Sequence, residues 1–294
     1  MAQSTDDWLA LRSPELSAQV DPLGAQLSVL RDRAGHDLLW GGDPKVWSGR
    51  APLLFPIVGA LAGGKYRSGK NIYELPRHGF ARNKRFEIIK TTPDSARLSL
   101  KADEASLKVY PFEFELEVNF GVRDTTLSIK TTIRNAGDAD MPSSFGYHPA
   151  FRWPLPYGHP RAAHFVDFES EEGPAIRRLT VDGLLDPEAR ATPIRGRRLD
   201  LTDGLFREDV VILDQVRSRK VSYGAAAGPR LGVSYPDSPY LGFWSKPGAN
   251  FVCIEPWNGL ADPAGFSEDF QEKPGIFILA PGESRSIRMS VTIY

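Results

Sequence analysis

The chain has 294 residues, 41% of them hydrophobic and 25% charged, with a formal net charge of -1. That balance suits a globular protein able to bury a core without disulfides or metals, and it gives no electrostatic reason to expect nucleic acid or an anionic membrane as partner. One cysteine, Cys253, excludes an internal disulfide and suits a reducing compartment.

The first stretch, Met1–Asp7, is polar and acidic and lacks the basic and apolar parts of an export signal. No apolar run approaches the roughly 20 residues of a membrane-spanning helix, so the expected location is the cytoplasm. Trp8–Arg12, Leu16–Val20 and Ala25–Asp32 are short strand candidates separated by Ser-Pro and Asp-Pro-Leu-Gly turns. Trp47 to Ala62 is apolar, yet Pro52 and Pro56 suit neither a helix nor a central strand. Such segments often line sites. Ala96–Leu100 alternates. In Phe114–Val122 the residues Phe114, Leu116, Val118, Phe120 and Val122 face one way and charged residues the other, a half-buried antiparallel strand. Arg123-Asp124 turns this strand into Leu127–Ile133, giving a hairpin.

Phe145 to Tyr157, rich in aromatics and prolines, reads as an ordered loop. The charge clusters Glu169–Glu172 and Arg195–Arg198 read as solvated surface. Val210–Leu213, Lys220–Tyr223 and Leu231–Tyr235 continue the strands. Single helical turns fit Thr202–Phe206 and Ser267–Phe270. Gly275–Leu279 and a last strand with Ile287, Met289, Val291 and Ile293 on one face complete the chain. No linker and no repeat divides it. Many short strands without a long amphipathic helix predict an all-β fold, a large antiparallel two-sheet sandwich in one domain over residues 1–294.

Three apparent motifs fail on context. Gly59–Tyr66 approaches a phosphate-binding loop but has Tyr66 where Ser or Thr would hold magnesium, and a turn follows it where a helix is needed. His159 and His164 lack zinc-site spacing, and no Gly-x-Ser-x-Gly elbow occurs.

The stretch from Cys253 to Asp262 carries more. If Phe251–Glu255 is extended, Phe251, Cys253 and Glu255 share a face, and Glu255 leaves an apolar surface where Pro256 ends regular pairing. A carboxylate there is partly desolvated and becomes a better base, and Trp257 offers a flat surface for a sugar ring. A solvated strand-end glutamate is the plainer reading of the same spacing. Arg50, His78 and His148 each lie in a loop beside Gly or Pro, which fixes the backbone. Taken singly, each histidine has a structural reading. Taken with Glu255, they form a set of a carboxylate, two imidazoles and a guanidinium.

The segments Trp47–Gly59, His78–Arg82, Phe145–Phe151, Trp244–Asp262 and Glu272–Ser284 resemble the aldose 1-epimerase, or galactose mutarotase-like, family, closest to its bacterial LacX-like branch. The resemblance runs from about Trp8 to Ile293. It implies a β-supersandwich and a cofactor-independent mutarotase without a metal. By the same resemblance, Glu255 is the base at the anomeric hydroxyl, His148 the acid at the ring oxygen, and His78 the second site histidine. Arg50 and Asp209 hold hydroxyls, with Asp214 nearby as an alternative to Asp209. Glu255 would be ionised and His148 protonated, in separated environments. Gly49 stands where galactose mutarotase proper has asparagine, so the sugar stays open. The partner is a small-molecule aldohexose, and Arg82 with Arg50 would meet a phosphate if the substrate is phosphorylated. A non-catalytic carbohydrate-binding protein is the rival class. The working form is a monomer or a homodimer.

Overall fold

A computed structural model describes residues 7–294; all but Asp7 of the acidic first stretch lies outside them. Two antiparallel sheets dominate. The larger has nine strands, and at its centre Phe114–Arg123 pairs with Thr126–Asn135, which pairs with Ser284–Ile293. Phe114, Leu116, Val118, Phe120 and Val122 are all buried, so the alternating sequence became the expected hairpin with one face inward. Ile287, Met289 and Val291 are buried on the neighbouring strand.

The second sheet runs Val211–Leu213, Tyr240–Trp244, Phe251–Asn258, Phe145–Tyr147, Leu53–Leu54, with Ala150–Arg152 also paired to Phe251–Asn258. A three-stranded sheet, Leu9–Arg12, Leu16–Asp21 and Gln26–Asp32, accompanies them. The two large sheets meet face to face. Tyr147 crosses between them, its hydroxyl donating to the Ile287 carbonyl at 2.8 Å and lying 2.9 Å from the Thr131 hydroxyl, which can donate to it. The rings of Phe168 and Phe243 meet across the same interface at 5.9 Å. This is the expected large antiparallel two-sheet sandwich.

Three local expectations need correction. Pro256 does not end pairing, since the strand continues through it to Asn258. The N–H of Ile254 donates to the Pro149 carbonyl, so the backbone position of Pro256, two residues on, faces the same neighbour. The proline therefore removes no bond to Tyr240–Trp244, its partner on the other side. The Phe145–Tyr157 segment is not a plain loop, because Phe145–Tyr147 and Ala150–Arg152 are both strands. Glu172 is not solvated surface. It is 2% exposed, and its carboxylate accepts from the backbone N–H groups of Arg217 and Ser218. Three residues in a charge cluster carry no signal for which one turns inward.

Truncating the inner face tests this architecture. Leu116→Ala, at a fully buried site, is expected to cost about 2–5 kcal/mol in urea unfolding. Glu117→Ala, one residue along and on the outer face, is expected to stay within about 0.5 kcal/mol. Equal costs at both positions would contradict the assigned faces.

Candidate active site

Glu255 owes its position to strand register. Gly146 pairs with Trp257 and Ala150 with Cys253, so the same register sets His148 opposite Glu255. The neighbouring Ile254–Pro149 position carries the hydrogen bond, which makes 148/255 a non-hydrogen-bonded position, where opposed side chains come closest. His148 Nε2 lies 3.1 Å from Glu255 Oε2, and the two side chains are 10% and 1% exposed. Neither Glu255 oxygen has a well-aligned hydrogen bond, and neither does His148 Nδ1.

The expected separation of the two environments is not observed. Both groups are desolvated together, and burial favours the neutral form of each. Burial pushes Glu255 well above the ordinary carboxylate range, and the Asp209 charge adds to it; the Trp257 indole, nearby but unaligned, opposes it. Burial holds His148 down at about 3, opposed by its own backbone and helped by Arg82. Both directions favour a neutral pair, with the proton on the Glu255 carboxyl.

His78 faces His148 edge-on, with ring centroids 5.8 Å apart. Its left-handed backbone, φ 67°, lets it clasp Gly59 twice. The His78 N–H donates to the Gly59 carbonyl at 2.8 Å, and the Gly59 N–H donates to His78 Nδ1 at 3.1 Å. With Nδ1 accepting, neutral His78 carries its proton on Nε2. Burial first, then the charges of His148, Arg82 and Arg77, lowers its pKa well below the usual value.

These groups open into a cavity of about 280 Å³. Trp47, Trp244 and Trp257 supply its aromatic walls, and Asp209, Arg77, Arg82 and Lys246 its polar rim. Trp47 stacks on His148 at 5.2 Å and 29°. Its loop is held by the Trp40 indole N–H, which donates to the Trp47 carbonyl at 2.8 Å, and by Lys246 Nζ, which donates to the Val46 carbonyl. The Trp257 indole lies across its two neighbouring strands. A Cβ on Gly242 or Gly146 would come within 2.7 Å of that ring. Glycine is needed at both positions for space.

The structure thus brings together Glu255, His148, His78, Asp209, Arg82 and Trp257, as expected, and leaves out Arg50. The Arg50 Nε donates to the Gly41 carbonyl at 2.9 Å, and the guanidinium lies 4.7 Å from the Trp8 ring centre. A close fit against Gly42 turns the side chain toward a separate surface hollow. Asp214 is also elsewhere, paired with Arg177 at 3.1 Å. Trp47, Trp244, Arg77 and Lys246 were missed as site residues. The two tryptophans and Lys246 stood inside the quoted segments, whereas Arg77, just before His78, gave no signal beyond its charge.

Among the described residues, His148, Cys253 and Glu255 form the one group with donor types and spacing for a metal ion, their ligand atoms lying within 4.8 Å of one another. Cys253 is fully buried and does not line the cavity. A wider groove of about 620 Å³ crosses the solvent face of the nine-stranded sheet, near Arg97, Asn119 and Lys130. No carboxylate or imidazole lines it.

A β-sandwich holding a buried carboxyl–imidazole pair under aromatic walls defines a carbohydrate-type site. The sequence pattern of the aldose 1-epimerase family matches residues 7–292, and the chain belongs to that family. It is similar to the plasmid-encoded LacX protein of Lactococcus lactis subsp. lactis, with 30% identity over 97% of this chain and 99% of that protein. A solved galactose mutarotase related enzyme from Lactobacillus acidophilus superposes with a TM-score of 0.91 at 30% identity, covering 98% of this chain and 97% of the other. A galactose mutarotase-like protein from Lactobacillus casei gives the same TM-score at 28% identity, covering 98% and 100%.

Linkage fixes the sign of a test. Glu255 binds its proton more tightly folded than unfolded. Its contribution to stability is complete below the unfolded value of 4.5 and is lost as pH rises through the raised folded value. His148 acts oppositely, losing its contribution as pH falls from 6.5 toward about 3, and is common to both proteins compared. Glu255→Gln is therefore expected to match wild type near pH 4 and to exceed it in stability increasingly toward pH 8, read as urea midpoints. A gap independent of pH would remove the burial argument.

Proposed function

We propose that this chain is an aldose 1-epimerase that interconverts the α and β anomers of a hexose by ring opening and reclosure. The observation that supports it most is the His148–Glu255 contact at 3.1 Å, two buried groups without other partners at the floor of an aromatic-walled cavity. Ring opening removes a proton from the C1 hydroxyl and supplies one to the ring oxygen. Glu255 as carboxylate takes the first, and His148 as imidazolium gives the second. The C1–O5 bond breaks, the aldehyde forms, and the pair keeps one proton throughout. Rotation about C1–C2 and closure with reversed roles present the other anomer. Sugar hydroxyls filling the cavity restore solvation to the pair and favour the charged arrangement from which opening starts. His78, donating from Nε2, steadies a sugar oxygen, Asp209 holds a hydroxyl, and Trp257 packs against the ring. No step needs a cofactor.

A second reading, a hexose 6-phosphate as substrate, is favoured by one specific feature. Arg77, Arg82 and Lys246 line the cavity, and none of them forms a salt bridge with a carboxylate among the described residues. Unneutralised cations at a rim suit an anionic substituent. We further read residues 1–294 as one domain, since a single apolar core includes residues from Leu11 to Val291. A cytoplasmic monomer or homodimer fits a buried free cysteine; the described residues contain no helix long and apolar enough to cross a membrane.

Anomer exchange of freshly dissolved glucose, galactose and glucose 6-phosphate, followed by NMR, tests these readings together. Glu255→Gln and His148→Asn are each expected to lower the catalysed rate by roughly 10²–10⁴-fold without loss of fold. Sugar binding with no acceleration by wild type would instead identify a carbohydrate-binding protein. If phosphate is recognised, Arg82→Ala is expected to raise KM for glucose 6-phosphate by about tenfold or more while leaving glucose little changed. Equal effects on both sugars would reject the phosphate reading.

A further inference from the structure

Lys273 and Asp262 form an ion pair that the chemistry above does not use. Lys273 Nζ lies 2.6 Å from Asp262 Oδ1, with the side chains 0% and 3% exposed. A pair so completely buried carries a desolvation cost that two apolar residues would avoid. Its partners indicate a use. The second carboxylate oxygen of Asp262 accepts the Ala62 N–H at 2.8 Å. The Asp262 N–H donates to the Ala60 carbonyl at 2.9 Å. Asp262 therefore grips residues 60 and 62 from both sides of its own peptide. Just before them stands Gly59, with φ 78°, pressed so closely on Ala261 that a Cβ would meet the Ala261 Cα at 2.6 Å. Gly59 is the residue that clasps His78 through its N–H and its carbonyl.

We propose that the buried Lys273–Asp262 pair is a positioning device for His78, holding the Gly59–Ala62 backbone so that His78 presents Nε2–H to the cavity. Lys273 fixes which way the Asp262 carboxylate turns. One oxygen is occupied by the ammonium, so the other must meet Ala62. The clamped segment then keeps the Gly59 N–H aimed at Nδ1, which sets the tautomer at the site. Lys273 and Asp262 touch no sugar and act only through this backbone. The inference rests on the mutarotase reading for its consequence in turnover, but the tautomer can be read on the free protein without any sugar.

The test compares Asp262→Asn with Asp262→Asn/Lys273→Met. In the single variant the amide oxygen turns to the retained ammonium and leaves an NH₂ facing the Ala62 N–H, so the clamp opens. In the double variant the ammonium is gone, methionine fills its space, and the amide oxygen is free to accept from Ala62 again. Imidazole ¹⁵N NMR of wild type is expected to show His78 as one Nε2–H tautomer. Asp262→Asn is expected to mix the tautomers and lower kcat by about 10²-fold, with KM moving less. The double variant is expected to recover the single tautomer and most of kcat. A pure Nε2–H tautomer in Asp262→Asn, or a double variant no better than the single, would overturn the proposal. If the single variant does not fold, Ala62→Pro decides, because it removes the N–H that Asp262 holds and keeps the ion pair: mixed tautomers are expected there, and a pure Nε2–H tautomer would overturn the proposal. Tautomers that respond as expected in a protein without mutarotase activity would keep the positioning role and discard the enzyme reading.

Discussion

Glu255 and His148 meet because they occupy opposed positions of an antiparallel pair at a non-hydrogen-bonded site. At such a site the two backbones come closest and neither spends its amide groups on the other. Proline on both sides makes room for the arrangement. Pro149 offers only its carbonyl to Ile254, and Pro256 has no N–H to offer toward Tyr147. The ladder is thinned where two polar side chains must turn the same way, while on the opposite edge of the strand Cys253–Trp257 stays paired to Tyr240–Trp244. The Glu255–His148 contact is therefore set by register, and shifting it by one residue would send Glu255 to the other face.

A division of labour follows from this placement. Of the pair to which the proposal gives the proton chemistry, Glu255 stands in the strand Phe251–Asn258 and His148 in the two-residue gap between Phe145–Tyr147 and Ala150–Arg152, beside a core in which Phe251, Cys253 and Ile254 are fully buried. The residues of the rim stand mostly on loops: Trp47 on one, His78 and Arg82 on another, and Asp209 at a left-handed turn with φ 62°. Trp257 links the two, carried by the central strand yet forming a wall of the cavity. Under the proposed reading, the rim is where a preference among sugars can vary without disturbing Glu255 and His148.

Much of this was legible in the chain. The Phe114–Val122 alternation gave its face directly because one side of that strand meets solvent. The shared face of Phe251, Cys253 and Glu255 followed from the period of a strand. What could not be read was which strand lies beside which. The meeting of His148 with Glu255 depends on a pairing between segments about a hundred residues apart, and only the family resemblance, not the spacing, had joined them. Arg50 shows the converse. It sat in the right motif beside the right tryptophan, yet the Gly41 carbonyl and the Trp8 ring hold its guanidinium on another surface. A motif fixes the backbone of a loop more firmly than the direction of a long side chain. Glu172 and the Lys273–Asp262 pair were invisible for a related reason, since charged residues in turn-rich segments look alike until their backbone partners are known.

Burial of the pair serves chemistry and works against stability at once. Two polar groups deprived of water and left without aligned hydrogen bonds are a cost to the folded protein. The same deprivation moves Glu255 upward and His148 downward, which reverses their ordinary order of proton affinity and favours the neutral form of each. In the proposed reaction, sugar hydroxyls that solvate the pair move both groups back toward their ordinary values. A reaction whose forward and reverse halves use the same acid and base needs a pair that can hold its one proton on either member. Had Glu255 been satisfied by backbone N–H groups, as Glu172 is by Arg217 and Ser218, it would be a more stable carboxylate and a poorer partner for His148. The unsatisfied oxygens are thus the feature of the core that a sugar, arriving with hydroxyls on every carbon, is suited to complete.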